Sequence, residues 1–251
     1  MAAKLRVMLL GPREKRGAEV LERQGFSVVH VPVVRVAVLE EGLKILEETL
    51  DTRPPDYLVF TSSIGVSIVF SRLRSKVYRL VEKGVVKIAS IGPATTHELR
   101  VRGVEPEVEA FPHTGETLGR EICLRRPRSA VLARSRQGLR GIVDILEGCG
   151  IGVADIPVYD IVPDHVAARR AVDMLLDGLV DYVVLTSPLI AGVFLDALKE
   201  ASRKLGSLRE RLIAIGPSTA LKVEEILGWR IPYPGKHTLQ GVAEFLGSLG
   251  S

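Results

Sequence analysis

The sequence predicts an α/β protein that is internally duplicated, with two domains that each hold a parallel sheet flanked by helices. The segment 56–63 (DYLVFTSS) returns 125 positions later (181 − 56) as 181–188 (DYVVLTSP). The turn 91–95 (IGPAT) returns 124 positions later (215 − 91) as 215–219 (IGPST). Short apolar runs also alternate with helical periodicity along the chain, which is typical of parallel sheets covered on both faces. Duplicated units usually enclose a ligand site between them.

Each predicted element follows from an apolar run, read as a strand, or from helical spacing that ends near a glycine such as Gly25 or Gly103. The first copy is predicted to contain strands over 7–10, 28–34, 57–60, 86–91 and 106–110 and helices over 18–23, 39–50, 64–73, 95–102 and 117–124. The second copy is predicted to repeat this order with strands over 130–133, 182–185, 213–215 and 231–233, a helix ending at Leu176 and a helix over 242–246.

Two apolar extended stretches, 31–38 and 156–163, are longer than the five to six residues of an average strand. We expect each to leave one sheet and enter the other domain, so that the two form a two-stranded linker. The predicted domains are therefore 1–34 plus 162–251, which is discontinuous, and 35–161. In this arrangement the opening βαβ of each copy packs with the later part of the other copy. The alternative is a single ten-stranded sheet.

The composition favours a soluble globular protein, since 46% of the 251 residues are apolar and 25% are charged. No apolar run reaches the roughly 18 residues of a membrane span, and no signal peptide is recognisable, so we expect a cytoplasmic protein without membrane contact. The net charge of +4 comes from dispersed Lys and Arg, and only 5% of residues are aromatic. A small acidic ligand is therefore favoured over nucleic acid.

The sequence predicts no metal site, no disulfide and no cofactor. The two cysteines, Cys123 and Cys149, lack CxxC spacing and clustered histidines, so two free thiols are expected. Neither GxGxxG nor GxxxxGK[ST] follows any predicted strand, which disfavours NAD and ATP.

The candidate ligand-binding residues are hydroxyl side chains at helix starts that follow strand ends, where backbone N–H groups and the helix dipole can hold a carboxylate. They are Thr61, Ser62, Ser63, Thr95, Ser187, Ser218 and Thr219. The alternative is that they are ordinary helix N-caps.

Arginines that follow the first strand of each copy are further candidates for binding carboxylates. Arg13, Arg134 and Arg136 could pair bidentately with acetate or propionate groups. Taken singly, each could instead be a solvated surface charge. His113 and His237 recur at the repeat offset ahead of a helix and are interpreted as inherited residues of a capping region rather than as catalytic bases.

In their order, several short motifs resemble the uroporphyrinogen-III synthase family. The motifs are 60–62 (FTS), 91–95 (IGPAT), 157–159 (PVY), 185–188 (LTSP) and 214–219 (AIGPST), and the resemblance covers essentially the full length. It implies a cyclising hydro-lyase with two domains and an interdomain cleft. Such an enzyme converts hydroxymethylbilane, a linear tetrapyrrole polycarboxylate, into uroporphyrinogen III through a spiro intermediate that inverts ring D.

The resemblance also implies how the site works and with what the protein interacts. Tyr159, at the matched Val-Tyr position, is the predicted general acid facing the cleft, and the alternative is a strand tyrosine with a satisfied hydroxyl. We expect a monomer that makes at most transient contact with the upstream hydroxymethylbilane synthase. A non-catalytic sensor of a small acidic ligand remains the main alternative function. A glycosyl or phosphoryl transferase is disfavoured because phosphate loops and paired acids are absent from the sequence.

Overall fold

The computed structural model describes residues 4–11, 18–138, 140–201 and 206–249. The strands are β1 (Arg6–Gly11), β2 (Ser27–Pro32), β3 (Val34–Val38), β4 (Tyr57–Phe60), β5 (Lys87–Ser90), β6 (Val108–Glu109), β7 (Ser129–Ser135), β8 (Gly152–Pro163), β9 (Tyr182–Leu185) and β10 (Leu212–Ala214). The α-helices are α1 (Ala18–Arg23), α2 (Glu40–Thr52), α3 (Ser63–Glu82), α4 (Pro93–Val101), α5 (Gly115–Leu124), α6 (Gly141–Gly148), α7 (His165–Leu176), α8 (Pro188–Ala201), α9 (Pro217–Leu227) and α10 (Leu239–Leu249).

The chain divides into two compact units, each with its own sheet. Unit 1 comprises Met1–Arg35 with Val162–Ser251, and unit 2 comprises Val36–Ile161. The domain boundaries predicted from the sequence differ from this division at Arg35 alone. The described strands form one four-stranded and one six-stranded sheet, so the alternative of a single ten-stranded sheet is wrong.

Unit 1 is built on the four-stranded sheet, in the order β10-β9-β1-β2, with every pair parallel. Strand β1 is buried on both faces, which explains its uninterrupted apolar sequence. Leu9, Leu21 and Leu246 are among the side chains that pack one face of this sheet against α1 and α10. The order of the strands along the chain reverses between β1 and β9.

Unit 2 is built on the six-stranded sheet, in the order β3-β8-β7-β4-β5-β6, which is parallel from β8 to β6. Its two faces are covered by separate apolar clusters, and β4 contributes alternately to both. Leu58 and Phe60 belong to the cluster beneath α2 and α3, whereas Tyr57 and Val59 belong to the one beneath α5 and α6. In this sheet the chain order reverses between β4 and β7.

Strands β3 and β8, in which the chain passes between the units, are neighbours in the six-stranded sheet. The predicted strand 28–34 is in fact interrupted at Val33, whose carbonyl accepts a hydrogen bond from the Asp164 amide at 2.9 Å. Helix α2 lies so close to β8 that a Cβ at Gly42 would be 1.9 Å from the Pro157 carbonyl oxygen. Glycine is therefore required at this helix–strand contact.

Two further element predictions differ from the structure. Residues 231–233 form no strand. The Pro232 carbonyl accepts a backbone hydrogen bond from the Ala214 amide at 3.0 Å, but no strand ladder is formed. Helix α3 extends past the predicted end at Leu73, where a non-helical φ of −119° marks a kink. The helix resumes because apolar residues such as Val77 continue to pack into the same cluster.

The prediction of two free thiols is wrong. Cys123, near the end of α5, and Cys149, which follows α6, form a disulfide with Cα atoms 6.1 Å apart. Helices α5 and α6 pack against each other over the same face of the unit 2 sheet. This packing brings together two residues that are 26 positions apart in the sequence.

The repeated aspartates Asp56 and Asp181 bind the start of a neighbouring strand in their own unit. The Asp56 carboxylate accepts hydrogen bonds from the Arg128 and Ser129 amides at 2.6 and 3.1 Å, at the start of β7. The Asp181 carboxylate accepts one from the Arg6 amide at 2.7 Å, at the start of β1, and others from the Arg6 side chain. Each aspartate therefore fixes the register of a strand that is distant in sequence.

Stability should depend on pH through Asp181. Its hydrogen bond from Arg6 holds the pKa of the carboxyl below its ordinary value, despite partial burial. Because the folded pKa is lower than the unfolded value of about 3.9, this stabilisation is present above pH ~4 and is lost as pH falls through the folded pKa. We expect Asp181→Asn to lower the urea midpoint at pH 7, with the difference from wild type shrinking below pH ~4. A constant difference from pH 7 to pH 3 would contradict this, and Glu19→Gln, which removes the exposed Arg23 ion pair, is the control.

Candidate functional site

Three of the four predicted hydroxyl residues of unit 2 lie where the order of its strands reverses. Thr61, Ser62 and Ser63 follow β4, and the neighbouring strand β7 ends with Arg134 and Ser135. Ligands of open parallel sheets bind outside the carboxyl ends of the strands at such a point. The topology therefore brings these residues together at the edge where a ligand is expected.

Ser62 is both a helix cap and the partner of Tyr159. Its Oγ accepts a hydrogen bond from the Gly65 amide at 3.0 Å and so caps α3, as the ordinary-cap interpretation expected. The same Oγ lies 2.8 Å from the Tyr159 hydroxyl oxygen. Only 4% of Tyr159 is exposed, and its ring packs in the cluster beneath α3. Tyr159 therefore has a satisfied hydroxyl, and its proposed catalytic role stays a prediction.

A β-bulge directs Tyr159 towards Ser62. Along the β7–β8 ladder, Arg134 is paired with Pro157 but Ser135 with Tyr159, so β8 contains one extra residue, Val158. Side chains normally alternate between the faces of a sheet, yet Val158 and Tyr159 both pack into the same cluster. Without the extra residue, Tyr159 would point to the opposite face.

Arg134 is buried, so its interpretation as a solvated charge is wrong. Its guanidinium bonds to both carboxylate oxygens of Asp155, with Nε donating at 2.6 Å, and 5% of its side chain is exposed. A substrate carboxylate would have to compete with Asp155 for these donors. Arg136, by contrast, is 61% exposed and lies 3.7 Å from the Asp160 carboxylate.

The equivalent edge of unit 1 holds Ser187. Its Oγ accepts from the Ile190 amide at 3.3 Å at the start of α8, and the preceding Thr186 hydroxyl donates to the Leu10 carbonyl at 2.7 Å. Ser187 thus follows β9 beside the end of β1, where the strand order reverses. The predicted residue Arg13 lies outside the described residues.

The two Ile-Gly-Pro turns begin α4 and α9, each with proline as its first helical residue and no side-chain cap. Thr95 and Thr219, in the first turns of these helices, are 3% and 1% exposed. Ser218 is exposed and lines a pocket of about 460 Å³ that also includes Arg230 and Tyr233. Of the hydroxyl side chains in these two turns, only Ser218 is directly accessible to a ligand.

The repeated histidines lie against the glycines of these turns. A Cβ at Gly92 would be 2.9 Å from the His113 ring, and a Cβ at Gly216 would be 3.1 Å from the His237 ring. The helix caps are the following threonines, since Thr114 and Thr238 each accept an amide bond at 3.1 Å. Sequence reasoning missed the His–Gly contact, although the spacing of 21 residues recurs (113 − 92 and 237 − 216).

Several groups with shifted pKa values lie at the opposite, amino ends of the strands. Burial, with a hydrogen bond to Glu107, raises the pKa of the Tyr57 hydroxyl. Burial opposes ionisation of Glu107, but hydrogen bonds from Tyr57 and Lys87 outweigh it and lower the pKa of this carboxyl.

Within the described residues, no group of three or more His, Cys, Asp or Glu side chains could hold a metal ion. None of the described helices is long and apolar enough to cross a membrane.

The fold and these strand ends define a protein class: an α/β protein of two units, each with a mainly parallel sheet and with hydroxyl-bearing turns after its strands. Residues 15–243 match the family model described as HEM4, uroporphyrinogen-III synthase HemD. The chain belongs to the uroporphyrinogen-III synthase family, whose members are enzymes of tetrapyrrole biosynthesis.

Relatives and solved structures agree with this assignment. A protein of Archaeoglobus fulgidus with a provisional uroporphyrinogen-III synthase name is 28% identical over 97% of this chain and 99% of its own. One of Methanothermobacter thermautotrophicus, also provisionally named, is 29% identical over 68% of this chain and 69% of its own. The fold is similar to that of uroporphyrinogen-III synthetase from Helicobacter pylori (TM-score 0.62, 20% identity, 98% and 100% coverage). It is also similar to a mutant synthase from Thermus thermophilus (TM-score 0.59, 18% identity, 98% and 99% coverage).

Proposed function

We propose that this protein is a uroporphyrinogen-III synthase, a hydro-lyase that cyclises hydroxymethylbilane with inversion of ring D. The proposal is supported by the family match and by a fold with polar strand ends but without a recognisable cofactor loop in the sequence. In such a reaction the pyrroles supply most of the reactivity. The protein's contribution is mainly positioning and electrostatic stabilisation.

The proposed reaction begins when the terminal hydroxyl of the substrate accepts a proton and leaves as water, which produces an electrophilic azafulvene. The substituted α-carbon of ring D attacks the methylene carbon of this azafulvene and forms the spiro intermediate. The bond between the spiro carbon and the methylene group that links it to ring C then breaks, which leaves ring C as an azafulvene. The free α-carbon of ring D attacks the methylene carbon of this azafulvene. Loss of a proton restores the aromatic pyrrole and leaves ring D inverted.

Tyr159 is the proposed proton donor for the leaving hydroxyl. The observation that carries this assignment is its 2.8 Å contact with Ser62, which joins β8 to the turn after β4 across 97 residues. The Ser62 hydroxyl can donate to the tyrosine oxygen and so stabilise the phenolate that forms when the proton leaves. The bulge at Val158 aims the phenol at this position.

The substrate carboxylates are proposed to bind at the hydroxyl-bearing turns. Thr61, Ser62 and Ser63 serve unit 2, and Ser187 and Ser218 serve unit 1, through hydroxyls and backbone N–H groups of the helix starts. The buried residues Thr95, Thr219 and Arg134 are proposed to support this binding without contacting the ligand directly. Thr95 and Thr219 hold the first turns of α4 and α9, and Arg134 fixes the end of β7.

The decisive test is the isomer of the product. Purified protein is supplied with freshly generated hydroxymethylbilane, and the oxidised uroporphyrin isomers are separated by chromatography. We expect mainly the type III isomer over many turnovers, whereas a reaction without protein gives type I by spontaneous closure. Type I alone, with tetrapyrrole bound stoichiometrically, would instead support the non-catalytic sensor. The monomeric state, the cytoplasmic location and a transient contact with hydroxymethylbilane synthase stay predictions.

A further inference from the structure

Two exposed aromatic rings lie at the carboxyl ends of the strands, one in each unit. Phe111 is 82% exposed and Tyr233 is 44% exposed. Every other phenylalanine and tyrosine is buried or half-buried, all of them being in the described part of the chain. A single exposed apolar residue needs no explanation. The position of these two rings does need an explanation, because they are the most exposed phenylalanine and tyrosine and because each lies beside an Ile-Gly-Pro turn of its own unit.

Each ring packs against the histidine that covers an Ile-Gly-Pro turn. The ring centroids of Phe111 and His113 are 5.4 Å apart at 79°, and those of Tyr233 and His237 are 6.0 Å apart at 66°. Both are edge-to-face arrangements. His113 is held in turn by a 2.6 Å hydrogen bond between its Nδ1 and the Ala110 carbonyl. Each aromatic ring therefore rests on a histidine and still presents surface to solvent.

Inheritance from the repeat explains the histidines but not the rings. His113 and His237 are separated by 124 positions (237 − 113), whereas Phe111 and Tyr233 are separated by 122 (233 − 111). The residues that match the rings at the repeat offset are Gly235 and Glu109, neither of which is aromatic. The two units thus place an aromatic ring on the same support from different chain positions, which indicates a shared requirement.

We propose that Phe111 and Tyr233 are stacking platforms for pyrrole rings of the substrate. This inference rests on the proposed function and adds a contact to the carbon framework of the substrate, whereas the hydroxyl-bearing turns contact its carboxylates. An electron-rich, planar five-membered ring stacks on an aromatic face or edge in a way that an aliphatic acid cannot. In unit 1 the platform is one wall of the 460 Å³ pocket. Ser218 supplies a hydroxyl there, and the guanidinium of Arg230 is paired at 3.0 Å with the carboxylate of Glu224, which also lines the pocket.

The test replaces each aromatic ring by an aliphatic side chain, using Phe111→Leu, Tyr233→Leu and the double variant. Each single variant should raise KM for hydroxymethylbilane about three- to tenfold with kcat within about twofold of wild type, because one aromatic contact is lost. Phe111→Tyr and Tyr233→Phe keep the ring and should retain the wild-type KM. The matched controls are Val101→Ala and Leu176→Ala, exposed apolar positions at the last residues of α4 and α7.

A binding measurement separates this proposal from the proposed function. Trp229, the single tryptophan, lies four residues before Tyr233 and reports binding to unit 1 by fluorescence. NMR line broadening of a monopyrrole that carries acetate and propionate arms reports on Phe111. The leucine variants should weaken binding of this monopyrrole but leave binding of glutarate, an aliphatic diacid, unchanged.

If the leucine variants keep the KM and the monopyrrole affinity of the wild type, the platforms are overturned, even if the type III isomer is formed. Equal losses in the alanine controls, or equal weakening of glutarate binding, would overturn them as well. Conversely, the wild-type protein could yield only the type I isomer while its leucine variants lose affinity for the monopyrrole. That result would support the platforms and overturn the synthase activity.

Discussion

Replacement of Tyr159 by phenylalanine is expected to lower kcat for type III formation by about 10²-fold or more, the usual range for loss of a general acid. The ring would stay in the cluster beneath α3, and the variant would lose only the 2.8 Å hydroxyl contact with Ser62. That loss should cost about 1 kcal/mol of stability, so the protein should remain folded. Steady-state kinetics with isomer analysis and thermal unfolding of the same preparation measure both effects.

Ser62→Ala is the matched variant for Tyr159→Phe. It removes the partner of the phenol and the cap of α3, which costs about 0.5–2 kcal/mol, but it leaves the tyrosine proton available. We expect kcat to fall less than in Tyr159→Phe while stability falls at least as much. If Tyr159→Phe turns over at the wild-type rate, the tyrosine is a structural residue of β8 and another group must protonate the substrate.

Loss of the disulfide is expected to produce the largest change in stability. The bond between Cys123 and Cys149 spans 26 positions, for which the chain-entropy treatment gives about 3.5 kcal/mol. The double variant Cys123→Ser/Cys149→Ser should therefore unfold unit 2 at clearly lower urea concentration. Because the two units need not unfold together, the transition of each should be followed separately, for example with Trp229 as the probe of unit 1.

Reductant provides the control for this prediction. Dithiothreitol should destabilise the wild type to the level of the double serine variant and leave that variant unchanged. The unit 1 transition should not move in either case, since both cysteines belong to unit 2. A wild-type protein whose unfolding is the same with and without reductant would contradict the stabilising role of this bond.

The sequence predicted strands and helices well where burial alone determines them. Strand β4 was predicted with its observed bounds, Tyr57–Phe60, because a strand buried on both faces is uniformly apolar. Helix α1 was likewise predicted over Ala18–Arg23 from its spacing and the glycine that follows. Residues 231–233 were apolar enough to suggest a strand, but the pairing of backbone groups that defines one is a tertiary property.

The contacts of the candidate site depend on registers that the sequence does not encode locally. Ser62 was chosen as a residue after a strand, yet its approach to Tyr159 requires the extra residue in β8, since a shift of one residue moves a side chain to the other face. The disulfide likewise depends on how α5 packs on α6. The burial of Arg134 follows from Asp155 on the adjacent strand, 21 residues away.

The order of strands in the unit 1 sheet has a consequence for synthesis on the ribosome. Unit 2 is one continuous segment and can complete its sheet as soon as residue 161 has emerged. Strands β1 and β2, although made first, must wait for β9, which starts 150 residues after β2 ends (182 − 32). At about 5–20 residues per second this delay is roughly 8–30 seconds, during which the apolar edge of β1 lacks its partner. The amino-terminal βαβ is thus the part of the nascent chain with the greatest need for protection by a chaperone.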